Sequence, residues 1–162
     1  MTELKLIEVT GGEDLERIRE LFREYEQDLP FDLSFQSFDR ELTELPGRYA
    51  RPTGCMLLAT WGQQLAGCVA LRRIGEGVCE MKRLYVRPAL RGRGIGRSLA
   101  GAIVEEARRI GYKRMRLDTV LEPAKSLYCS LGFREIPPYQ HVPIQGVVFM
   151  ELDLQQESGR QL

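Results

Sequence analysis

Apolar residues recur at two spacings along the chain, and each spacing predicts a type of element. An apolar residue at every third or fourth position predicts four helices, at Asp14–Leu29, Ser34–Leu45, about Gly94–Ile110 and Ala124–Leu131. Alternating or continuous apolar runs predict strands at Leu4–Val9, Cys55–Trp61, Gln64–Ile74, Val78–Val86, Met115–Val120, Phe133–Ile136 and Val147–Leu154. The resulting order, β-α-α-β-β-β-α-β-α-β-β, predicts one mixed α/β (α+β) domain.

The composition is that of one folded unit. The chain has 162 residues, of which 43% are hydrophobic and 28% are charged, a balance typical of globular domains. A chain of this length can bury a core without disulfides or a metal. We expect one domain over residues 1–154 and a polar tail over residues 155–162. The 23 Lys and Arg residues balance the 23 Asp and Glu residues, so no overall positive field favours nucleic acid as a partner.

Cysteine spacing and the N-terminus bear on the cellular setting. Cys55, Cys68, Cys79 and Cys129 include no Cys-x-x-Cys pair, so we expect buried thiols and no metal site. The first residues are polar, and no apolar run approaches the roughly 18 residues of a membrane span. These features predict a cytoplasmic protein without a membrane-spanning segment.

One segment combines glycines with positive charge. Between positions 82 and 97 there is no acidic residue, and the basic ones are Lys82, Arg83, Arg87, Arg91, Arg93 and Arg97. Within this segment, the loop Arg91-Gly92-Arg93-Gly94-Ile95-Gly96 stands directly before a predicted amphipathic helix. Glycines let backbone N–H groups point at one anion, and a helix N-terminus adds a favourable potential. The segment is a candidate phosphate site or, alternatively, a solvated basic surface.

The glycine spacing excludes two common phosphate loops. A dinucleotide-binding Gly-x-Gly-x-x-Gly motif would need glycine at position 97 or 99, where this chain has Arg97 and Leu99. A P-loop ending at Ser98 would need glycine at 91 and lysine at 97, and both positions are arginine.

The remaining pattern, Arg91 followed by Gly94 and Gly96, resembles the Arg/Gln-x-x-Gly-x-Gly/Ala signature of the GNAT acyltransferase superfamily. The flanking residues from Met81 to Ala100 are similar to that family's cofactor segment, and Ala124–Phe133 is similar to its Ala-x-x-Leu-Tyr-x-x-x-Gly-Phe helix and strand. The resemblance implies a single domain with a mostly antiparallel twisted sheet of about six to seven strands, helices on both faces, and a splayed pair of cofactor-binding strands.

The resemblance also implies acetyl-CoA as the donor substrate, without a metal. Main-chain N–H groups from Arg91 to Arg97 would hold its pyrophosphate, and the strand around Tyr85 would pair with its pantetheine arm. A backbone N–H near Leu84 or Tyr85 would polarise the thioester carbonyl. The cofactor-binding residues implied in this way are Leu84, Tyr85, Val86, Arg91, Gly92, Arg93, Gly94, Ile95, Gly96, Arg97 and Ser98.

Two side chains have predicted catalytic roles. Glu80 stands eleven residues before the loop's first arginine, the offset of the general-base glutamate in family members that use one. It can instead pair with Arg83, Arg116 or a substrate cation. Tyr128 matches the family's helix tyrosine, which could protonate the leaving thiolate, and it can instead be a packing residue. One position departs from the family, which often has an asparagine where this chain has Leu121.

The predicted function is transfer of an acetyl group from acetyl-CoA to a primary amine of a small or amino-acid-like molecule by direct attack. The alternatives are a non-catalytic acyl-CoA-binding regulatory module and a protein N-acetyltransferase. The single histidine, His141, gives no support to a Ser-His-Asp triad. The resemblance further implies a homodimer. Candidates for the acceptor pocket, or for core packing, are Phe31, Phe35, Phe38, Tyr49 and Tyr139.

Overall fold

The elements of the computed structural model follow the predicted order. The structure describes residues 2–31, 33, 37–120 and 122–155, with the backbone alone at 122 and 123. Its helices are α1 (Glu13–Asp28), α2 (Phe38–Glu44), α3 (Ile95–Ile110) and α4 (Glu122–Ser130). Its strands are β1 (Leu4–Glu8), β2 (Cys55–Trp61), β3 (Gln64–Gly75), β4 (Val78–Val86), β5 (Arg114–Thr119), β6 (Arg134–Ile136) and β7 (Val148–Asp153). None of the helices in these ranges is long and apolar enough to cross a membrane.

The strands form one sheet that splits in the middle. The seven strands are ordered β1-β2-β3-β4-β5-β7-β6, and all neighbours are antiparallel except β4 and β5. Those two strands are parallel and pair only from Val78 with Arg114 to Glu80 with Arg116. Beyond Glu80, β4 continues to Val86 with no further pairing to β5. This split is the predicted splayed strand pair.

Both faces of the sheet are covered by helices. On one face, Leu99 and Ile103 of α3 are fully buried against the sheet. On the other face, Ile18 and Phe22 of α1 are buried together with Phe38 of α2. Apolar stripes on the helices and alternate apolar positions on the strands therefore produce two cores with the sheet between them. The predicted mixed α/β class is confirmed.

A β-bulge interrupts β4 where the split begins. Two β4 residues, Arg83 and Leu84, lie opposite the single β3 residue Val69. Arg83 has a φ of 63°, in the left-handed region that non-glycine residues rarely adopt. The residue is 2% exposed, and its guanidinium donates hydrogen bonds to both oxygens of Glu41 on α2, at 2.9 and 2.8 Å. This bidentate pair holds the strained residue in place.

The cysteines depart from their prediction at one position. Cys55, Cys68 and Cys79 are buried, but Cys129 on α4 is exposed, so the expectation of buried thiols is wrong there. Burial raises the pKa of Cys55 and Cys79 to about 12, which keeps both thiols protonated near neutral pH. Within the described ranges, no group of three or more His, Cys, Asp or Glu side chains is placed to hold a metal ion.

Candidate active site

The split between β4 and β5 adjoins a cleft beside the glycine-rich loop. The cleft has a volume of about 480 Å³. It lies between the end of β4, the loop, and the facing parts of α1 and α4. Its lining residues are Tyr25, Asp28, Leu29, Leu84, Tyr85, Val86, Leu90, Arg91, Gly92, Gly94, Ile95, Gly96, Ala124 and Leu127. The structure therefore brings most of the predicted cofactor-binding residues to one surface.

The conformation of the loop explains its glycines. Gly92 and Gly94 have φ values of 83° and 81°, and a Cβ atom at either position would meet nothing within 4 Å. The backbone conformation, rather than lack of space, thus selects glycine here. Gly94 is the N-cap of α3, whose first turn contains no acidic residue. The first N–H groups of a helix lack intrahelical partners, so this end of the cleft favours an anion.

Arg91 is held beside the cleft by three contacts. It donates hydrogen bonds to the Val86 carbonyl at 2.8 Å and to the Asp28 carboxylate at 2.9 Å, and it lies 5.7 Å from the centre of the Tyr85 ring. Its side chain therefore joins the loop to β4 and α1. The charge of Arg91 is partly balanced by Asp28, which leaves the backbone N–H groups as the main donors of this loop.

Three of the predicted cofactor-binding residues lie outside the cleft lining. Arg93 extends over the ring of Trp61, 5.5 Å from its centre. Arg97 donates a hydrogen bond of 2.5 Å to the Ser130 hydroxyl on α4. Ser98 lies within the first turns of α3, where its N–H bonds to the Gly94 carbonyl at 3.0 Å. Arg93 and Arg97 thus contact other side chains and do not line the cleft in this structure.

A smaller cavity lies further along the split and adjoins the cleft. Its volume is about 80 Å³, and it shares Tyr25, Leu29, Leu84 and Ala124 with the cleft. The charged and hydroxyl-bearing residues that line it are Tyr25, Lys82, Arg83, Asp118, Thr119 and Tyr128. The cavity therefore brings the bulge on β4, the end of β5 and the tyrosine of α4 around one space.

Glu80 occupies a closed position behind this cavity. Its side chain is 0% exposed. Its Oε1 accepts a hydrogen bond of 3.0 Å from Nε of Arg72 and forms a salt bridge of 2.9 Å with Nη2 of the same residue. The predicted ion-pair alternatives, Arg83 and Arg116, are wrong as direct partners because the structure pairs them with Glu41 and Glu151. Arg72 lies directly opposite Glu80 in the β3–β4 register, and this places its guanidinium against the carboxylate.

Glu80 is the second member of a row of alternating charges across five strands. The sheet register places Arg72, Glu80, Arg116, Glu151 and Arg134 side by side on one face. Arg116 donates a hydrogen bond of 2.9 Å to Glu151. We call these five residues the charge row. Opposite charges in adjacent cross-strand positions stabilise a sheet, and burial of the Glu80 carboxylate strengthens its attraction to both neighbours.

The loop between β6 and β7 covers the row at Glu80. The Tyr139 hydroxyl donates a hydrogen bond of 2.6 Å to Oε2 of Glu80, and Gln140 Nε2 donates one of 3.3 Å to the same oxygen. The Tyr139 ring also lies 5.3 Å from the Arg116 guanidinium. Burial by itself would raise the pKa of Glu80, but Lys82, Arg72 and the Tyr139 hydrogen bond hold it below its usual value. The carboxylate is therefore ionised and fully enclosed.

Tyr128 lines the cavity and also packs. Its ring lies 5.7 Å from that of Phe133, and the side chain is largely buried. Burial, followed by the proximity of Tyr25 and the negative charge of Asp118, raises the pKa of Tyr128. Its hydroxyl therefore stays protonated near neutral pH. The structure shows the packing alternative, and the same side chain also lines the cavity, while the predicted acid role stays a prediction.

The acceptor-pocket candidates fall in several environments. Phe31 lines the small cavity, whereas Phe38 and Tyr49 belong to the core under α1 and α2. Tyr139 covers Glu80. Phe35 and the atypical Leu121 lie outside the described residues.

Sequence analysis missed Lys82 and Asp118 as residues of the site. Lys82 is buried, and burial followed by the neighbouring Arg83 lowers its pKa. One signal could have revealed the bulge on β4. Lys82 and Arg83 are adjacent charges inside a strand, and the pair breaks the alternation expected of regular pairing.

Comparisons with known proteins agree with this arrangement. The family model for the acetyltransferase (GNAT) family matches residues 15–133. An uncharacterized N-acetyltransferase of Schizosaccharomyces pombe is 44% identical over 146 residues, which cover 88% of this chain and 90% of that protein. A GNAT-family acetyltransferase from Staphylococcus aureus has the same fold, with a TM-score of 0.77 at 20% identity over 94% of this chain and 99% of that one.

A further structural relative was solved with a ligand. The PaiA N-acetyltransferase from Thermoplasma acidophilum, in complex with coenzyme A, has a TM-score of 0.71 at 20% identity over 93% of this chain and 99% of that one. At such identities the structural likeness supports the fold, while the family model and the yeast relative support the assignment. The chain therefore belongs to the acetyltransferase (GNAT) family and, as a member of it, is an acyltransferase.

Proposed function

We propose that this protein transfers the acetyl group of acetyl-CoA to a primary amine of a small or amino-acid-like molecule by direct attack. The observation that carries the proposal is the continuity of the cleft with the small cavity. A donor lying in the cleft would present its thioester where the two spaces meet, at Leu84 and Ala124. The amine would then approach through the small cavity from the acceptor side.

The cleft fits the two halves of the donor. N–H groups of Gly92, Gly94 and the first turn of α3 would hold the pyrophosphate, and the edge of β4 from Leu84 to Val86 would accompany the pantetheine arm. Coenzyme A bound to the Thermoplasma relative supports this donor. Acetyl-CoA is a substrate of the reaction, so the residues that hold it need only position it and release the free thiol.

The bulge and α4 would supply two parts of the chemistry. Because a bulge leaves one residue out of the regular ladder, the N–H of Leu84 is a candidate donor to the thioester oxygen, whose negative charge grows during attack. The protonated Tyr128 hydroxyl is the proposed acid for the departing thiolate. Both residues line the small cavity, so the two roles would act on the same carbon centre.

The base role predicted for Glu80 stays a prediction, and the enclosure of Glu80 restricts how it could act. Its carboxylate could exchange a proton with the acceptor only if Tyr139 and Gln140 moved or relayed the proton. The cytoplasmic location, the homodimer and the full set of cofactor-binding residues also stay predictions.

The test is thiol release from acetyl-CoA in the presence of a panel of primary amines and amino acids. We expect turnover with at least one acceptor. Tyr128→Phe should lower kcat by about 100-fold, because a positioned acid contributes about 10²–10⁴-fold, while the Kd for acetyl-CoA stays within twofold. Tyr112→Phe is the matched control, since this buried tyrosine bonds to the Thr53 carbonyl outside both cavities.

Two outcomes would contradict the proposal. If folded wild-type protein binds acetyl-CoA and releases no thiol with any acceptor, small-molecule acetylation is wrong. If one protein partner is acetylated far more efficiently than every free amine, the acceptor class is wrong and the protein N-acetyltransferase alternative replaces it.

A further inference from the structure

We infer that Asp118, on the open side of the split, is the residue that binds the acceptor's ammonium group and takes its proton. This inference rests on the proposed acetyl transfer. It assigns to β5 the role that the family resemblance gives to Glu80 on β4. Glu80 then has a structural role in the part of the sheet where β4 and β5 are still paired.

Glu80 has no access to an acceptor. Its Oε1 is bonded to Arg72, and its Oε2 is bonded to Tyr139 and Gln140. The side chain is fully buried, and Glu80 does not belong to the lining of the small cavity in the described part of the chain. An acceptor could reach this carboxylate only after the covering loop had opened and left Arg72 exposed to a new partner.

Asp118, unlike Glu80, can be reached by an acceptor in the small cavity. Asp118 stands two residues after Arg116, the β5 partner of Glu80, so it shares the same sheet face one step further along the split. It is partly exposed and lines the small cavity. Within the described ranges the only hydrogen bond of its side chain comes from Gln140, with Nε2 3.1 Å from Oδ2, and no basic side chain there forms a salt bridge with it.

Asp118 shares the small cavity with the two other residues that are proposed to take part in the reaction. Leu84, the candidate donor to the thioester oxygen, and Tyr128, the proposed acid, line the same cavity. The charge of Asp118 acts on Tyr128, whose pKa is raised first by burial and then by Tyr25 and Asp118. Base, oxyanion donor and acid therefore surround one space of about 80 Å³. A space this small favours an unbranched amine group over a bulky one.

The proton balance follows from this arrangement. A carboxylate oxygen of Asp118 takes one proton from the ammonium group, and the freed nitrogen lone pair forms a bond to the acetyl carbon. The carbonyl electron pair moves to oxygen beside the Leu84 N–H and then returns as the carbon–sulfur bond breaks. Tyr128 protonates the departing sulfur and regains a proton from the new amide nitrogen. Asp118 finally releases its proton to water, so the reaction yields amide, free thiol and one proton.

Gln140 joins the two carboxylates. Its Nε2 lies 3.3 Å from Glu80 Oε2 and 3.1 Å from Asp118 Oδ2, so one amide group orients both side chains. Gln140 is thus a positioning residue. Lys82 also lines this cavity. Burial and then Arg83 lower the pKa of Lys82, whereas Glu80 and then Asp118 act to raise it, so Asp118 is one of its neighbours. An ammonium group bound at Asp118 would therefore lie beside a lysine whose pKa is lowered by burial and by Arg83.

The experiment compares Asp118→Asn with wild type at pH 7 on two kinds of acceptor. The first kind is the primary alkylamines of the panel, with pKa values of about 10, and the second is aminoacetonitrile, which is largely unprotonated at this pH. We expect kcat/KM to fall at least 100-fold with alkylamines and less than 10-fold with aminoacetonitrile. The Kd for acetyl-CoA should stay within twofold. Asp39→Asn, at an exposed position of α2, is the matched control.

Several outcomes would overturn the assignment. One is an Asp118→Asn variant within threefold of wild type on alkylamines, and another is an equal loss with both kinds of acceptor, which marks a structural effect. A third is a selective alkylamine loss in folded Glu80→Gln, which would return the base role to Glu80. Should Asp118→Asn not fold, Asp118→Ser carries the same test. Wild-type protein that binds acetyl-CoA but turns over no amine contradicts the proposed function itself, and the inference falls with it.

Discussion

Two successive levels of the same sheet face use charge in different ways. At the level of Glu80, β4 and β5 are still paired, and each charge of the row has an opposite charge beside it. One step along, at Lys82 and Asp118, β4 and β5 no longer pair, and both side chains line a cavity. The two levels are only two residues apart on each strand.

The difference shows how one sheet can provide both a rigid support and a reactive space. Buried charges need partners because their desolvation is costly, and the paired level supplies those partners within the sheet. At the split, β4 no longer pairs with β5 beside Asp118, so this carboxylate can interact with a ligand in the cavity. Position along the strand, rather than residue type, thus separates structural charges from those available for chemistry.

The largest expected effect comes from breaking the paired level. Arg72→Met leaves the fully buried Glu80 without its principal counterion, and removal of one partner of a buried pair costs about 3–5 kcal/mol. Urea unfolding at pH 7 measures the change. Arg17→Met is the matched control, because Arg17 pairs with Asp14 on the surface, where such pairs contribute about 0–1 kcal/mol. Equal effects of the two variants would show that the charge row does not support the sheet.

A second prediction concerns the loop that closes the paired level. Tyr139→Phe keeps the ring over Arg116 and removes the 2.6 Å hydrogen bond to Glu80. Hydrogen bonds to charged groups contribute about 1.5–3 kcal/mol, so the free energy of unfolding should fall by that amount. The same urea titration checks it. If the variant is as stable as wild type, water replaces the hydroxyl easily and Glu80 is less enclosed than its contacts indicate.

A third prediction concerns the approach of β3 to the bulge. A Cβ atom at Gly67 would overlap the Tyr85 carbonyl oxygen and would lie 3.2 Å from Leu99. Gly67→Ala should therefore destabilise the protein by about 1–3 kcal/mol and shift the β4 edge that borders the cleft. Gly101→Ala is the matched control, because Gly101 lies within α3 with nothing within 4 Å, and alanine there should stabilise the helix by about 0.5–1 kcal/mol. Stabilisation by both variants would contradict the close approach.

The sequence predicted the elements and the donor side of the site well, for a local reason. Helices, strands and the glycine loop depend on residues close in the chain, such as Gly92 and Gly94 before α3. The acceptor side depends on contacts between residues far apart in the chain. Glu80 meets Tyr139 and Gln140, which are 59 and 60 residues away along the chain, and no local pattern encodes these contacts.

Asp118 is not marked by the sequence pattern for a similar reason. A lone aspartate near the end of a short strand has no spacing that marks it, and its accessibility follows from where β4 and β5 part. That point of separation depends on the bulge at Arg83, which is fixed by Glu41 of α2. Prediction of the site therefore required the strand register and a helix contact, neither of which the hydrophobic pattern contains.

The smallest expected effect is a pH dependence of the stability that Glu80 contributes at the paired level. Lys82, Arg72 and Tyr139 outweigh burial and hold the pKa of Glu80 below its usual 4.5, so the folded state favours the ionised form. A lowered folded-state pKa contributes stability that is fully present above the unfolded value and is lost as the pH falls through the folded one. The stability difference between wild type and Glu80→Gln should thus be constant from pH 8 to about pH 5.5 and should shrink below about pH 4.5. Thermal unfolding at several pH values measures it, with Asp14→Asn giving the change expected from a surface carboxylate. A difference that grows on acidification would mean that burial prevails over the surrounding positive charges, so that Glu80 is protonated more easily than the charge row implies.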